Sequence, residues 1–209
     1  MVITETFKNL EESKQQRILN AALKEFAENG YEQASTNQIV KNAGIGKGML
    51  FYYFKNKKDL YQFLIEYSMN ITMNKFLNLV DTTETDFINR MRQVSLLKMK
   101  LYAENPDIMN FMGTLILSNE LELAEDLITR MNELKKLGNE KLYDNIDTSL
   151  FRDEVDVNKV YKLIQWSLEG YQNELTSRLQ GQKMSAIDMD LLWDEFYEYL
   201  DIMKVSFYK

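Results

Sequence analysis

Apolar residues recur every three or four positions through most of the chain, interrupted by short polar breaks, and this spacing predicts an all-α protein. The first helix is expected from about Lys14 to Asn29, with Ile18, Ala22, Leu23 and Phe26 on its buried face. Ser13 and Gln16 have the spacing of a capping box, and Gly30 sits where a left-handed C-terminal cap is wanted. Tyr31 reads as a core anchor. A second helix opens at Ser35, whose hydroxyl can cap it, with Gln38 three residues on. Ile39, Val40 and Ala43 face inward. Gly44 ends this helix because it permits a positive φ, Ile45 plugs the turn, and Gly46 is an acceptable N-cap without a side-chain oxygen. The third helix runs from Lys47 to about Phe54. Leu50, Phe51 and Phe54 form its expected buried stripe, which leaves Lys47, Gly48, Met49, Tyr52 and Tyr53 outward.

Longer elements follow. A helix from about Lys57 to Val80 carries Leu60, Leu64, Tyr67, Ile71 and Leu79 on one stripe. Asp81 to Thr85 reads as a loop and cap, and a helix from about Glu84 to Glu104 ends at Asn105-Pro106, since proline removes a donor and disfavours helix before it. Helices from about Pro106 to Ser118 and from Glu120 to about Tyr143 come next, then an acidic loop over 144–156. The last two helices span Val157 to about Leu179 and Asp188 to about Val205. The pattern thus predicts about nine helices, divided into an N-terminal three-helix unit (1–56) and a helical body (57–209). The last two helices have broad apolar faces that include Leu163, Leu168 and Leu175 on one and Leu192, Phe196, Tyr199 and Met203 on the other. Such faces suit a four-helix bundle built from two chains, although a contact within one chain would use the same residues.

Charge sharpens this division. The chain carries a net charge of −7, yet Ser35 to Lys58 holds five lysines and no Asp or Glu. Residues 1–65 carry nine Lys/Arg against seven Asp/Glu, whereas the remainder carries sixteen against twenty-five. A polyanion met at the N-terminal end alone fits that asymmetry. The chain has no Cys and no His, which removes disulfides, thiolate metal sites and the commonest general base and metal ligand. Catalytic residues, metal and cofactor are therefore all expected to be absent, and an enzyme is disfavoured. No apolar run reaches membrane-span or signal-peptide length, so no membrane partner is expected and the cytoplasm is the expected location. Met49, Tyr52 and Tyr53 beside Lys47 on one short helix suggest a partner surface, and Gly48, which costs helix stability, fits a closely approaching partner.

The stretch GYEQASTNQIVKNAGIGKGMLFYYFKNKKDLY resembles the helix-turn-helix signature of the TetR (tetracycline-repressor-like) transcriptional regulators. The matching positions are Gly30-Tyr31, Ser35, Ile39-Val40, Ala43-Gly44-Ile45, Lys47-Gly48, Leu50 to Phe54, Lys57 and Leu60. Phe51 stands where the family usually has Tyr, and Gly46 where Ser or Thr is common. The resemblance covers roughly residues 14–65 and implies a regulator that binds a near-palindromic operator in double-stranded DNA as a homodimer. It implies that Ser35, Thr36 and Asn37 open the second helix against the backbone. Lys47, Gly48 and Met49 would enter the major groove, Tyr52 and Tyr53 would touch phosphates and thymine methyls, and Lys57 would bind phosphate. It also implies pairing through the last two helices and a small-molecule effector, apolar or amphipathic, in the body. The candidates for that site are Tyr102, Met109, Phe111, Met112, Met131, Trp166, Glu169 and Tyr171, since methionine-rich interiors deform around varied ligands, though such residues are more often simple core. The alternative is a helical sensor or interaction protein that keeps the fold without binding DNA.

Overall fold

The helical periodicity resolves into ten α-helices over residues 5–117 and 125–209, which are the residues that the computed structural model describes. They are α1 (Glu5–Lys8), α2 (Glu12–Gln33), α3 (Thr36–Ala43), α4 (Lys47–Phe54), α5 (Lys57–Leu79), α6 (Phe87–Glu104), α7 (Pro106–Leu117), α8 (Glu125–Tyr143), α9 (Val157–Leu179) and α10 (Met189–Phe207). The expected end of the sixth helix at Ser118 and the start of the next at Glu120 lie outside the described residues. Short 3-10 turns occupy Thr148–Leu150 and Met184–Ala186. Extended pairing among the described residues is limited to a bridge between Phe151 and Tyr208.

Two local expectations need correction. The Ser13–Gln16 capping box does not form: α2 begins earlier, after Glu11, with no side-chain cap. Gly30 does take a positive φ (64°), but with ψ −179°, so it bends the chain into one more turn rather than closing a left-handed cap. The unforeseen element is α1. It is four residues long and exists because Phe7 is buried against Phe54 and Tyr53, with ring centroids 4.7 and 5.7 Å away.

The first core joins α1 to α5 with α7 and Leu127 of α8. Ile18, Ala22, Leu23 and Phe26 of α2 lie in it, as their spacing requires. Phe26 meets Tyr61 of α5 edge-on at 4.8 Å, and Tyr61 meets Phe111 of α7 at 5.4 Å. This aromatic junction is continuous across position 56/57. Phe111 is 1% exposed at its centre, which gives it a packing role there.

The second core joins α6, α9 and α10 through Phe87, Ile88, Met91, Val160, Ile164 and Leu200, closed by Phe151 and Tyr208. Beside it lies a fully buried cation. The Arg90 guanidinium donates to the carbonyl oxygens of Thr82 and Glu84 in the loop before α6, and of Lys141, Leu142 and Asp144 at the end of α8. A helix C-terminus presents unpaired carbonyls and a partial negative charge, so one guanidinium offsets both its own desolvation and theirs. Asp86 caps α6 by accepting from the Ile88 and Asn89 N–H groups, and it also accepts from the Tyr208 hydroxyl at 3.0 Å. Burial pushes the Tyr208 phenol well above its ordinary pKa.

Candidate nucleic-acid interface

Local chemistry sets the geometry of α3 and α4. Ser35 is the N-cap of α3, and its hydroxyl accepts from the Gln38 N–H at 3.4 Å. The Ser35 N–H itself donates to Glu25 Oε1 at 2.9 Å, and Glu25 is buried on α2. A carboxylate reaching from the preceding helix therefore aims the start of α3, an anchor that the sequence reading missed because its partner is ten residues away. Gly44 closes α3 in the left-handed region (φ 63°, ψ 40°), which a side chain would strain. Ile45 then turns in, with its N–H bonded to the Val40 carbonyl at 3.1 Å. Gly46 is the N-cap of α4 and offers no side-chain bond, and its carbonyl accepts from the Met49 N–H at 3.0 Å.

The buried stripe of α4 is Leu50, Tyr53 and Phe54, at i, i+3 and i+4. This corrects the sequence expectation. Tyr53 is fully buried and Phe51 is only half-buried, because Phe7 of α1 packs against the Tyr53 side of the helix. Tyr53 therefore belongs to the core, not to an outward contact face. The outward face consists of Lys47, Gly48, Met49 (41% exposed) and Tyr52 (57% exposed), with Asn37 and Ser35 exposed and Thr36 half-buried at the start of α3. A Cβ built on Gly48 would meet nothing within 4 Å. The fold of the chain itself does not demand glycine there. Neither α3 nor α4 has an acidic residue in its first turn.

Lys57 is already engaged. Its ammonium lies 4.9 Å from the centre of the Tyr31 ring and donates to the Glu32 carbonyl at 3.0 Å. It thus ties the start of α5 to the end of α2, with further N–H donors left for an anion. Asn56 caps α5 by accepting from the Asp59 N–H at 2.8 Å. Burial pushes the Tyr31 phenol above its ordinary pKa, and Glu32 adds to the shift.

The residues expected around an effector do not form one site. Tyr102 donates to Asn110 between α6 and α7, Met109 is half-buried on α7, and Met112 and Met131 pack on the first core beside the buried Phe111. Trp166, Glu169 and Tyr171 lie elsewhere, on α9. Trp166 is 57% exposed with the Lys162 ammonium over its ring, Glu169 is exposed and accepts from Gln165, and Tyr171 stacks on Phe196 and meets Tyr199 at a tilt, both on α10. The reason is helical phase: Trp166 and Glu169 face the outer side of α9, whereas Tyr171 shares the phase of the core residues Val160 and Ile164 and packs on α10. Of the residues expected at a pairing face, Leu163 and Tyr199 are exposed, and Leu168, Leu175, Leu192, Phe196 and Met203 are half-buried. The sequence reading missed the most exposed apolar residues of α10, namely Leu191, Ile202 and Val205. Between α9 and α10 a groove of about 430 Å³ is lined by Leu168, Gly170, Tyr171, Phe196, Tyr199 and Ile202 among others. Among the described residues no helix is long and apolar enough to cross a membrane.

Two short helices at a glycine turn, the second presenting an acid-free face with a lysine, define a helix-turn-helix DNA-binding protein. Residues 18–63 match the profile of the bacterial regulatory proteins of the tetR family. The chain is 26% identical over 172 residues to an HTH-type transcriptional regulator of Staphylococcus aureus (strain bovine RF122 / ET3-1), an alignment covering 77% of this chain and 89% of the relative. It is 38% identical over 81 residues to an HTH-type transcriptional regulator of S. aureus strain USA300, covering 39% and 43% of the two chains. A TetR family transcriptional regulator from Chloroflexus aurantiacus J-10-FL has the same fold, with a TM-score of 0.65, 22% identity and coverage of 100% of both chains. These likenesses support a DNA-binding transcriptional regulator that resembles the TetR family.

Proposed function

We propose that two copies of the chain pair through α9 and α10 and read a near-palindromic operator as a repressor released by a small effector. On this reading residues 1–56 are the reading head and 57–209 the pairing and sensing body. The observation that carries it is the outward face of α4: Lys47, Gly48, Met49 and Tyr52 stand exposed on a segment that contains five lysines and no carboxylate. Lys47 supplies the donor for guanine O6 and N7, Gly48 lets the backbone approach, and Tyr52 offers a hydroxyl to phosphate. Ser35, Thr36 and Asn37 bring the N-terminus of α3 to the DNA backbone, where helix N–H groups favour an anion. Lys57 adds a phosphate contact from donors not spent on Glu32.

Pairing is supported by the apolar residues that α9 and α10 leave in solvent, above all Trp166, Leu163, Ile202 and Val205. Trp166 serves this face rather than an effector site, and Tyr171 packs between α9 and α10. An effector of apolar or amphipathic character is supported by the half-buried Tyr102, Met109, Met112 and Met131 between the middle helices. It must prefer the conformation that does not bind DNA, or no release follows. The site of action is the cytoplasm, where the operator is.

Selection of a duplex from a random pool, followed by titration at fixed salt, tests the reading. Lys47→Ala should weaken binding to the selected duplex by about 1–3 kcal/mol and leave binding to scrambled duplex nearly unchanged. Equal loss on both duplexes would remove Lys47 from base recognition.

A further inference from the structure

We infer that the crossover between α9 and α10 positions the reading head, through Lys183, Met184 and Ser185, and so sets the operator half-site spacing that the protein accepts. The inference rests on the pairing role of α9 and α10 proposed above.

The crossover touches the N-terminal unit directly at Glu28 and reaches it indirectly through α7. Both oxygens of the Glu28 carboxylate on α2 are engaged: Oε2 by the Lys183 ammonium at 3.0 Å and Oε1 by the Ser185 hydroxyl at 3.2 Å. The Lys183 bond is the main reason that the Glu28 carboxyl is held below its ordinary pKa. Between Lys183 and Ser185 in the chain, the Met184 thioether lies against α7 where Gly113 has no side chain. A Cβ on Gly113 would come within 2.5 Å of the sulfur and 2.6 Å of Cγ. Helix α7 in turn is fastened to α2, with Thr114 Oγ1 donating to the Ala27 carbonyl at 3.1 Å.

The consequence is geometric. The head is joined covalently to the body through α5 and packs through α2 on α7. The crossover adds a further non-covalent attachment, and this one comes from the loop that connects the two pairing helices themselves. When two copies pair, α9 and α10 form the fixed frame, and each head is latched to that frame directly at Glu28 and, by way of Gly113 on α7, indirectly. A latch that comes from the pairing frame itself ties the separation of the two heads to that frame. Lys183, Met184 and Ser185 are positioning residues: they act on DNA through the placement of α2 and hence of α3 and α4. A single exposed ion pair contributes little to stability, so loosening the latch should change the placement of the head far more than the folding of the chain.

The test uses the full chain and an operator selected from a random duplex pool, remade with the half-site spacing changed by one and two base pairs in each direction. Fluorescence anisotropy gives the affinity at each spacing. The unaltered protein should prefer one spacing by about tenfold or more. Lys183→Glu should lower affinity at that spacing by about three- to tenfold and flatten the profile. The exchanged pair Glu28→Lys with Lys183→Glu should restore much of the preference. Gly113→Ala, which displaces Met184 without changing charge, should flatten the profile as well. An unchanged profile in both Lys183→Glu and Gly113→Ala overturns the inference, and so does a uniform loss at every spacing with a lowered melting temperature. If the unaltered protein itself binds as one copy, or with no spacing preference, the pairing reading falls and this inference falls with it.

Discussion

The N-terminal unit and the α6–α9–α10 part of the body solve the same problem, holding short helices in register, by different means. In the N-terminal unit the means are local and mostly apolar. Ser35, Gly44, Gly46 and Asn56 start and stop helices within a few residues of themselves, and aromatic rings from Phe7 to Phe63 fill the space between. In the body the means are long-range and polar. Arg90 bonds carbonyls more than fifty residues away, and Tyr208 reaches Asp86 across 122 positions. The N-terminal unit thereby buries its apolar surface and exposes a polar and aromatic face on α3 and α4. The body leaves large apolar residues in solvent on α9 and α10. One region is finished as a single chain; the other has a face suited to a second copy.

Substitutions can break this contrast in descending order of effect. Arg90→Met should be the most damaging, since it strands several buried carbonyls, with a stability loss of about 3–5 kcal/mol by chemical denaturation. A loss within the range of surface changes would show that the buried cation does not hold the body together. Phe7→Ala should cost about 3 kcal/mol, because it empties the space against Tyr53 and Phe54. Denaturation monitored by circular dichroism reads it, and a negligible loss would make α1 an ornament of the fold. Ile202→Glu should leave the chain folded and raise the dimer dissociation constant by about thirtyfold, equivalent to about 2 kcal/mol. Sedimentation over a concentration series would show it, and an unchanged dimer would move the pairing face elsewhere. The smallest change is Gly48→Ala. It should stabilise the chain by up to about 1 kcal/mol, since the site is open, while weakening operator binding. Tighter or equal binding would mean that no partner approaches that backbone.

The same contrast explains what was legible in the sequence. The cap at Ser35, the turn at Gly44 and the start of α4 at Gly46 depend on residues within one turn of each other, so spacing sufficed to place them. The division of α4 into faces was misread at one point. Tyr53 is fully buried and Phe51 only partly so, because Phe7, forty-odd residues upstream, decides which side is covered. Glu25 aiming α3, Arg90 and the Glu28–Lys183 pair carry no local signature, since each acts on a partner brought near only by the fold. The effector candidates scattered for a related reason: methionine and aromatic content marks apolar surface, but only helical phase tells core from outer face, and Trp166 falls on the outer face of α9 while Tyr171 packs on α10.

The central claim is sequence-specific reading by the α3–α4 unit. Its most direct test is the affinity of the full chain for a pool-selected duplex and for a scrambled duplex of equal length, measured across a salt series. Specific binding should exceed nonspecific binding by about a thousandfold or more at physiological salt, and both should weaken as salt rises. Equal affinity for the two duplexes, or no binding to either at low salt, would contradict it.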